Sequence, residues 1–239
     1  MEEYMGRTIS IITARGGSKR IPRKNIKEFC GKPIIAYSIE AAIESNIFDE
    51  VMVSTDDDEI KEIALQYGAK VPFMRSKENS NDFASTVDVI LEVLENYGLE
   101  EKKFEKACCI YPTAPFVTAE KLIQAMQLLD EGDSVMPVVK YSFPPLRSVI
   151  LEQGKVRPMW EQHMSSRSQD LPELYHDCGQ FYCFWVNSFI KQKTLITENT
   201  VPMIIPEIEV QDIDNPDDWE IAQIKFKYMS EKNIEIRDE

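Results

Sequence analysis

Ala14-Arg15-Gly16-Gly17-Ser18-Lys19-Arg20-Ile21-Pro22-Arg23-Lys24-Asn25 follows directly on a short apolar run, Ile9-Ser10-Ile11-Ile12, that reads as a buried first strand. The two glycines let the backbone turn sharply and approach something bulky. Arg15, Lys19, Arg20, Arg23 and Lys24 then concentrate positive charge in a chain whose net charge is −14. A cationic, glycine-bearing loop at the end of the first strand of an α/β protein is a place for a polyphosphate. A P-loop is excluded, because Gly31-Lys32 is followed by Pro33 rather than Ser or Thr. The dinucleotide fingerprint is excluded too, since it needs three spaced glycines and only Gly16 and Gly17 are here.

Outward from this loop, strand and helix signals alternate. Ile9–Ala14 predicts a strand, 33–45 a helix, 51–55 a second strand and 57–67 a helix stopped by Gly68. A third strand is expected over 69–74, a helix over 86–97, a fourth strand over 107–111, a helix over 119–130 and a fifth strand over 134–139. Single helices between strands imply an α/β fold, a mostly parallel sheet with helices on both faces. The alternation breaks over 141–186, where Pro144, Pro145, Pro158 and Pro172 stand among aromatics. An antiparallel arm is expected there, then a strand over 181–186 returning to the sheet, a short strand over 203–206 and a helix over 215–228 capped by Asp214 or Asn215. One domain over 1–239, with 141–175 inserted as a dimerisation and sugar-capping arm, is the simplest organisation.

Composition narrows the function. An acidic chain lacks the broad basic face nucleic acid requires, although a few cations can dominate a cleft. No apolar run approaches the roughly 20 residues of a membrane span. The acidic start Met1-Glu2-Glu3-Tyr4 lacks the order of a signal peptide, so a cytoplasmic location is expected. Cys30, Cys108, Cys109, Cys178 and Cys183 form no Cys-x-x-Cys pair and read as reduced thiols; His163 and His176 are too few for a zinc site.

Four stretches together resemble the acylneuraminate (sialic acid) cytidylyltransferase family, which has a Rossmann-like nucleotide-diphospho-sugar transferase fold. They are Ala14–Asn25, Val53-Ser-Thr-Asp-Asp57, Tyr111-Pro-Thr-Ala-Pro115 and Asp212-Ile-Asp-Asn-Pro216. Arg167-Ser-Gln-Asp-Leu171 and Tyr175-His-Asp-Cys-Gly-Gln-Phe-Tyr182 are similar to the pseudaminic acid branch. The chain departs from the sialic acid pattern at Cys178, where an Asn is usual, and at Tyr111, where a Gln is usual. The resemblance implies that the anomeric hydroxyl of a nine-carbon 2-keto sugar acid attacks the α-phosphorus of CTP and pyrophosphate leaves. It also implies a homodimer. The alternatives are the same reaction on N-acetylneuraminic or legionaminic acid and, from another class, a catalytically silent nucleotide-binding protein.

In-line displacement needs positioning and charge neutralisation. Amides around Gly16, Gly17 and Ser18, with Ala14, are expected to cradle the phosphates. Arg15, Lys19 and Lys24 are the expected catalytic cations, and Asn25 fixes the loop or the ribose. Arg20 and Arg23 divide evenly between phosphate contact and a solvated face. The resemblance places cytosine near Arg75, Ala84 and Thr86, and the sugar acid near Tyr111, Arg167, Gln169, His176, Gln180 and Tyr182. Asp212 and Asp214, one residue apart on an extended segment, project to the same side and can share a Mg²⁺; the competing reading makes them part of a helix cap. Asp56-Asp57-Asp58 reads as a helix start.

Overall fold

The computed structural model describes residues 6–237, with side chains as far as 232. The sheet elements are β1 (Thr8–Thr13), β2 (Glu28–Phe29), β3 (Lys32–Pro33), β4 (Glu50–Ser54), β5 (Lys106–Ile110), β6 (Ser134–Lys140), β7 (Val149–Glu152), β8 (Lys155–Pro158), β9 (Tyr175–Asp177), β10 (Phe181–Trp185) and β11 (Thr200–Ile204). The helices are α1 (Ile34–Glu44), α2 (Asp58–Gln66), α3 (Thr86–Leu99), α4 (Ala119–Leu128), α5 (Val186–Gln192) and α6 (Pro216–Arg237).

The main sheet has the order β11-β6-β10-β5-β1-β4, with β9 added beside β6. β1 pairs in parallel with β4 and β5, and β11 with β6; β10 runs antiparallel between β5 and β6. The returning strand expected from the sequence therefore fills the middle of the sheet. Strand periodicity sends alternate side chains to opposite faces. Ile9, Ile11, Ala107 and Cys109 pack with α3 and α5, while Ile12, Cys108 and Ile110 pack with α1, α2 and α4. The adjacent cysteines thus face opposite cores, and all five cysteines are free. A third cluster gathers Phe29, Ile34, Ile213 and Trp219, with edge-on contacts from Phe29 to Tyr37, Trp219 and Phe226, and anchors α6.

One expected strand does not form. Residues 69–74 make a single bridge, Lys70 to Met52. Lys70 donates to Val51 O and accepts from Val53 N, both at 2.9 Å. Pro72 has no N–H with which to continue the ladder, so the apolar alternation of Ala69, Val71 and Phe73 is spent on packing instead. The last strand lies earlier than expected, at β11, and α5 follows β10 without a break. β2 and β3 form a hairpin whose two turn residues, Cys30 and Gly31, have φ of 47° and 101°.

Residues 141–174 leave the sheet. They carry the antiparallel β7–β8 hairpin and short 3₁₀ turns. Leu151, Val156 and Met159 are exposed there, and Phe143 is 84% exposed.

Candidate active site

The site lies at the carboxyl ends of β1, β4 and β5. The chain leaves β1 for β4 on one side while β5 lies on the other, a topological switch point where open α/β sheets bind ligands. Ala14 N donates to Ser54 O at 3.0 Å, so the loop starts tied to β4. Gly16 N donates to the Asp56 carboxylate at 2.9 Å, and Asn25 Nδ2 donates to Arg15 O at 2.8 Å, closing the loop on itself. Arg23 forks onto Asp57 at 2.6 and 2.8 Å and reaches Glu59 at 2.6 Å. That pairing holds the Asp57 carboxyl down at about 2. Asp57 also caps α2 by accepting from Ile60 N at 3.0 Å, as the helix-start reading expects.

These contacts frame a cleft of about 540 Å³ lined by Arg15, Ser18, Lys19, Lys24, Tyr111 and Asp214, among others. Lys24 Nζ donates to Ile213 O at 2.6 Å and lies 3.9 Å from Asp214. Burial lowers the Lys24 pKa from the ordinary lysine value, against the opposite pull of Asp214 and Asp212. Arg15 Nη1 donates to the Asp82 carboxylate at 2.9 Å and to Asn81 O at 3.2 Å, and Lys19 pairs with the other Asp82 oxygen. Asp82 escaped the sequence reading. A lone carboxylate 67 residues beyond Arg15 carries no spacing signal.

Ser85 caps α3 in a reciprocal capping box with Asp88. This sets Thr86 beside the cleft, its Oγ1 3.4 Å from the Tyr111 hydroxyl. Ala84 N is held by Asn81 Oδ1 at 3.1 Å. Arg75 is buried, and its guanidinium is spent on Ser54, at 3.0 Å to Oγ and 2.5 Å to O. Ser38 Oγ donates to Tyr111 O at 2.8 Å, fixing the wall opposite the loop.

Asp212 and Asp214 flank Ile213, which is fully buried against the Trp219 cluster. The cap of α6 falls to Asn215, whose side chain accepts from Asp218 N at 3.0 Å. The Asp214 carboxylate is thereby released to pair with Arg20 at 2.9 Å. Burial, and secondarily Asp214, raise the Asp212 carboxyl above its ordinary value. Among the described residues no group of three or more His, Cys, Asp or Glu could enclose a metal. The donor set fits a hard cation that takes one or two carboxylates and completes its shell with phosphate oxygens and water.

A second cleft of about 480 Å³ shares Arg20 and Asp214 with the first and is lined also by Lys140, Tyr141, His176 and Asp212. His176 packs on the Tyr141 ring at 4.6 Å, with Nδ1 2.9 Å from Asp177 O. Tyr182 is buried; its hydroxyl donates to Asp177, and its ring meets Tyr111 edge-on at 5.8 Å. Gln180 is buried, donates to Glu209 O at 2.7 Å and leaves Oε1 without a partner. Arg167 and Gln169 sit on the arm outside both clefts, Arg167 forked onto Asp170 at 2.7 and 3.1 Å. The structure thus gathers Arg15, Lys19, Lys24, Tyr111 and Asp214 in one cleft, with Asp212 and His176 in the adjoining one.

Residues 9–176 match the family model described as cytidylyltransferase. The chain is 41% identical over 224 residues to the pseudaminic acid cytidylyltransferase of Campylobacter jejuni, covering 92% of this chain and 97% of that one. It is 33% identical to the CMP-N,N'-diacetyllegionaminic acid synthase of Legionella pneumophila, over 91% of this chain and 95% of the other. Among solved structures, a CMP:2-keto-3-deoxy-manno-octonic acid synthetase complexed with CTP matches the fold, with TM-score 0.65 at 17% identity over 93% of this chain and 99% of that one. Reach of the match over 92% of the chain, and identity well above 30%, leave one conclusion: the chain belongs to the cytidylyltransferase family, whose members generally use a divalent metal.

Proposed function

We propose that the chain transfers CMP from CTP to the anomeric hydroxyl of pseudaminic acid. In this step the sugar oxygen forms a bond to the α-phosphorus and loses its proton to solvent water. The bond from that phosphorus to the bridging oxygen breaks, and pyrophosphate leaves with the electron pair. The observation that carries the reading is the convergence of Arg15, Lys19 and Lys24 on one cleft beside the glycine turn. Their charges neutralise the polyphosphate, and the forked guanidinium of Arg15 suits an oxygen on which charge grows as pyrophosphate departs. The Gly17 amide adds a donor, Gly16 N and Ser18 N being engaged by Asp56 and Gly16 O; Ala84 and Thr86 frame the base, and Arg75 acts from behind by holding the end of β4 through Ser54.

Asp212 and Asp214 are the residues that would hold Mg²⁺, which when bound screens phosphate charge from the attacking oxygen. Lys24 ties the loop to this segment through Ile213 O and Asp214, so the phosphate and metal subsites keep one geometry.

The cleft containing His176 and bordering Asp212 is the place for the sugar acid; Tyr111 lines the neighbouring nucleotide cleft, with the buried Tyr182 ring edge-on behind it. The 41% identical relative supports pseudaminic acid as acceptor; the 33% identical legionaminic relative supports a second reading, the same reaction on that acid. The arm over 141–175, with Phe143, Met159 and Trp160 presented to solvent, is the proposed homodimer contact. In this reading Arg167 and Gln169 reach sugar in the partner's pocket. No helix among the described residues is long and apolar enough to cross a membrane, and the proposed place of action is the cytoplasm.

Competition between pseudaminic and N-acetylneuraminic acids at limiting CTP tests acceptor choice. The expected preference for pseudaminic acid is at least about tenfold in kcat/KM, the worth of one lost polar contact in a buried pocket. Equal turnover would return the reading to a general nonulosonic acid enzyme. Light scattering at micromolar protein tests the dimer, and a fully active monomer would exclude it.

A further inference from the structure

Two features of the sequence take no part in the chemistry above, Arg23 and the run Val53-Ser-Thr-Asp-Asp57. Arg23 lies in the cationic stretch yet does not line the nucleotide cleft. Both of its terminal nitrogens are engaged by carboxylates, bidentate on Asp57 and extended to Glu59. Its φ is 56°, a left-handed conformation that a side chain such as arginine adopts only where the surroundings hold it. Asp57 in turn is fixed from three sides. It caps α2 through Ile60 N, receives the Arg23 fork, and stands directly against Gly16. A Cβ built on Gly16 would lie 2.6 Å from Asp57 Oδ2 and 3.1 Å from its Cβ, a contact that flexible side-chain ends alone cannot relieve. Beside it, Asp56 holds Gly16 N at 2.9 Å.

The end of β4 and the start of α2 therefore form a seat into which the glycine turn fits. The first glycine is required there by close approach, since the backbone must come within reach of two aspartates. The far end of the same loop returns to the same seat through Arg23. Between these two anchor points run Gly17, Ser18, Lys19 and Arg20, and immediately after the second comes Lys24.

We propose that Arg23 and Asp57 are positioning residues for the nucleotide phosphates: they hold the loop's amides and the cations Arg15, Lys19 and Lys24 in register without touching CTP. The inference rests on the reading that this loop binds CTP. It assigns the Val53–Asp57 motif a role as scaffold for the Ala14–Asn25 motif, joined to it by a fork between residues 34 apart in sequence, which explains why the two stretches belong to one site. It also separates Arg23 from Arg20, which faces the cleft and pairs with Asp214.

The test compares Arg23→Gln, Arg23→Lys and Asp57→Asn with the unaltered protein. CTP affinity is measured by calorimetry, the KM for pseudaminic acid by turnover, and Tm by thermal melting. Asp57→Asn keeps a good helix cap while weakening the ion pair, which separates the two duties of that residue. Arg23→Gln leaves the cap untouched. Arg23→Gln and Asp57→Asn are expected to weaken CTP by at least about tenfold, as misplacement by about 1 Å does. Arg23→Lys keeps the charge but loses the fork and should fall between them and the parent. The KM for pseudaminic acid should stay within about twofold, because that cleft is built on other elements. Unchanged CTP affinity in both Arg23→Gln and Asp57→Asn would overturn the proposal. Parallel loss of CTP and sugar acid binding with a collapse in Tm would overturn it too, by reducing the pair to a general structural role. Failure of the unaltered protein to bind CTP would instead refute the proposed function itself, and this inference with it.

Discussion

Replacing Arg15 by Ala separates what the loop does for folding from what it does for chemistry. The side chain is about one-third exposed and holds two contacts, Asp82 at 2.9 Å and Asn81 O at 3.2 Å. Both partners lie on an exposed segment, and ion pairs of that kind contribute little to stability. The contact that closes the loop uses the Arg15 main-chain carbonyl, which Ala also supplies. Arg15→Ala should therefore melt within about 4 °C of the parent. Its chemical cost is of another order. Removing one charge-assisted donor from a developing phosphate charge costs roughly 10²–10³ in rate, or about 2.7–4 kcal/mol of transition-state stabilisation. The assay is pyrophosphate release at saturating sugar acid with CTP varied, alongside a melt. Arg15→Lys should recover part of the loss, since Lys supplies charge without the fork. A kcat/KM for CTP within about threefold of the parent would refute the reasoning and remove Arg15 from the mechanism.

Three further outcomes follow from the same geometry. Asp212→Asn and Asp214→Asn should each abolish metal-dependent turnover while leaving Tm near the parent value, and the parent should lose activity in EDTA; activity that survives EDTA would remove the metal assignment. The alkaline limb of the pH profile of kcat/KM for CTP should fall at lower pH than an ordinary lysine gives: Lys24, its pKa lowered chiefly by burial, loses charge below the ordinary value of 10.5. A profile whose alkaline limb persists unchanged in Lys24→Met would contradict this assignment. Asp82→Asn should tighten CTP several-fold by freeing Arg15 and Lys19 from a carboxylate that competes with phosphate, and weaker binding in calorimetry would show that Asp82 instead orients them.

How far the sequence could be read follows from where its information is local. The Ile9–Ile12 run, the Gly16-Gly17 turn, the helix stop at Gly68 and the helix start at Asn215 are set by neighbouring residues, so β1, its loop and most helices were legible. That Asp212 and Asp214 border one cleft was legible because a spacing of two residues on extended backbone sends both side chains the same way. Residues 69–74 misled because apolar alternation does not record the missing N–H of Pro72. The antiparallel placement of β10 between β5 and β6 depends on pairing across 71 to 79 residues to β5 and 48 to 50 residues to β6, which periodicity does not encode. Asp82 and the Arg23–Asp57 fork are long-range ion pairs between residues whose local patterns, a turn and a basic run, point elsewhere. The burial of Tyr182 and Gln180, and their contacts with Asp177 and Glu209 O, come from the fold and are not carried by their sequence neighbours.

The most direct test of the account is pyrophosphate release by the purified protein supplied with CTP, Mg²⁺ and pseudaminic acid, with the other nucleoside triphosphates and other nine-carbon acids in parallel. The account predicts release of one pyrophosphate per CMP-linked sugar formed, with CTP strongly preferred and pseudaminic acid turned over fastest. Tight CTP binding with no pyrophosphate released for any acid in the panel would contradict it, and would leave a nucleotide-binding protein on a transferase fold.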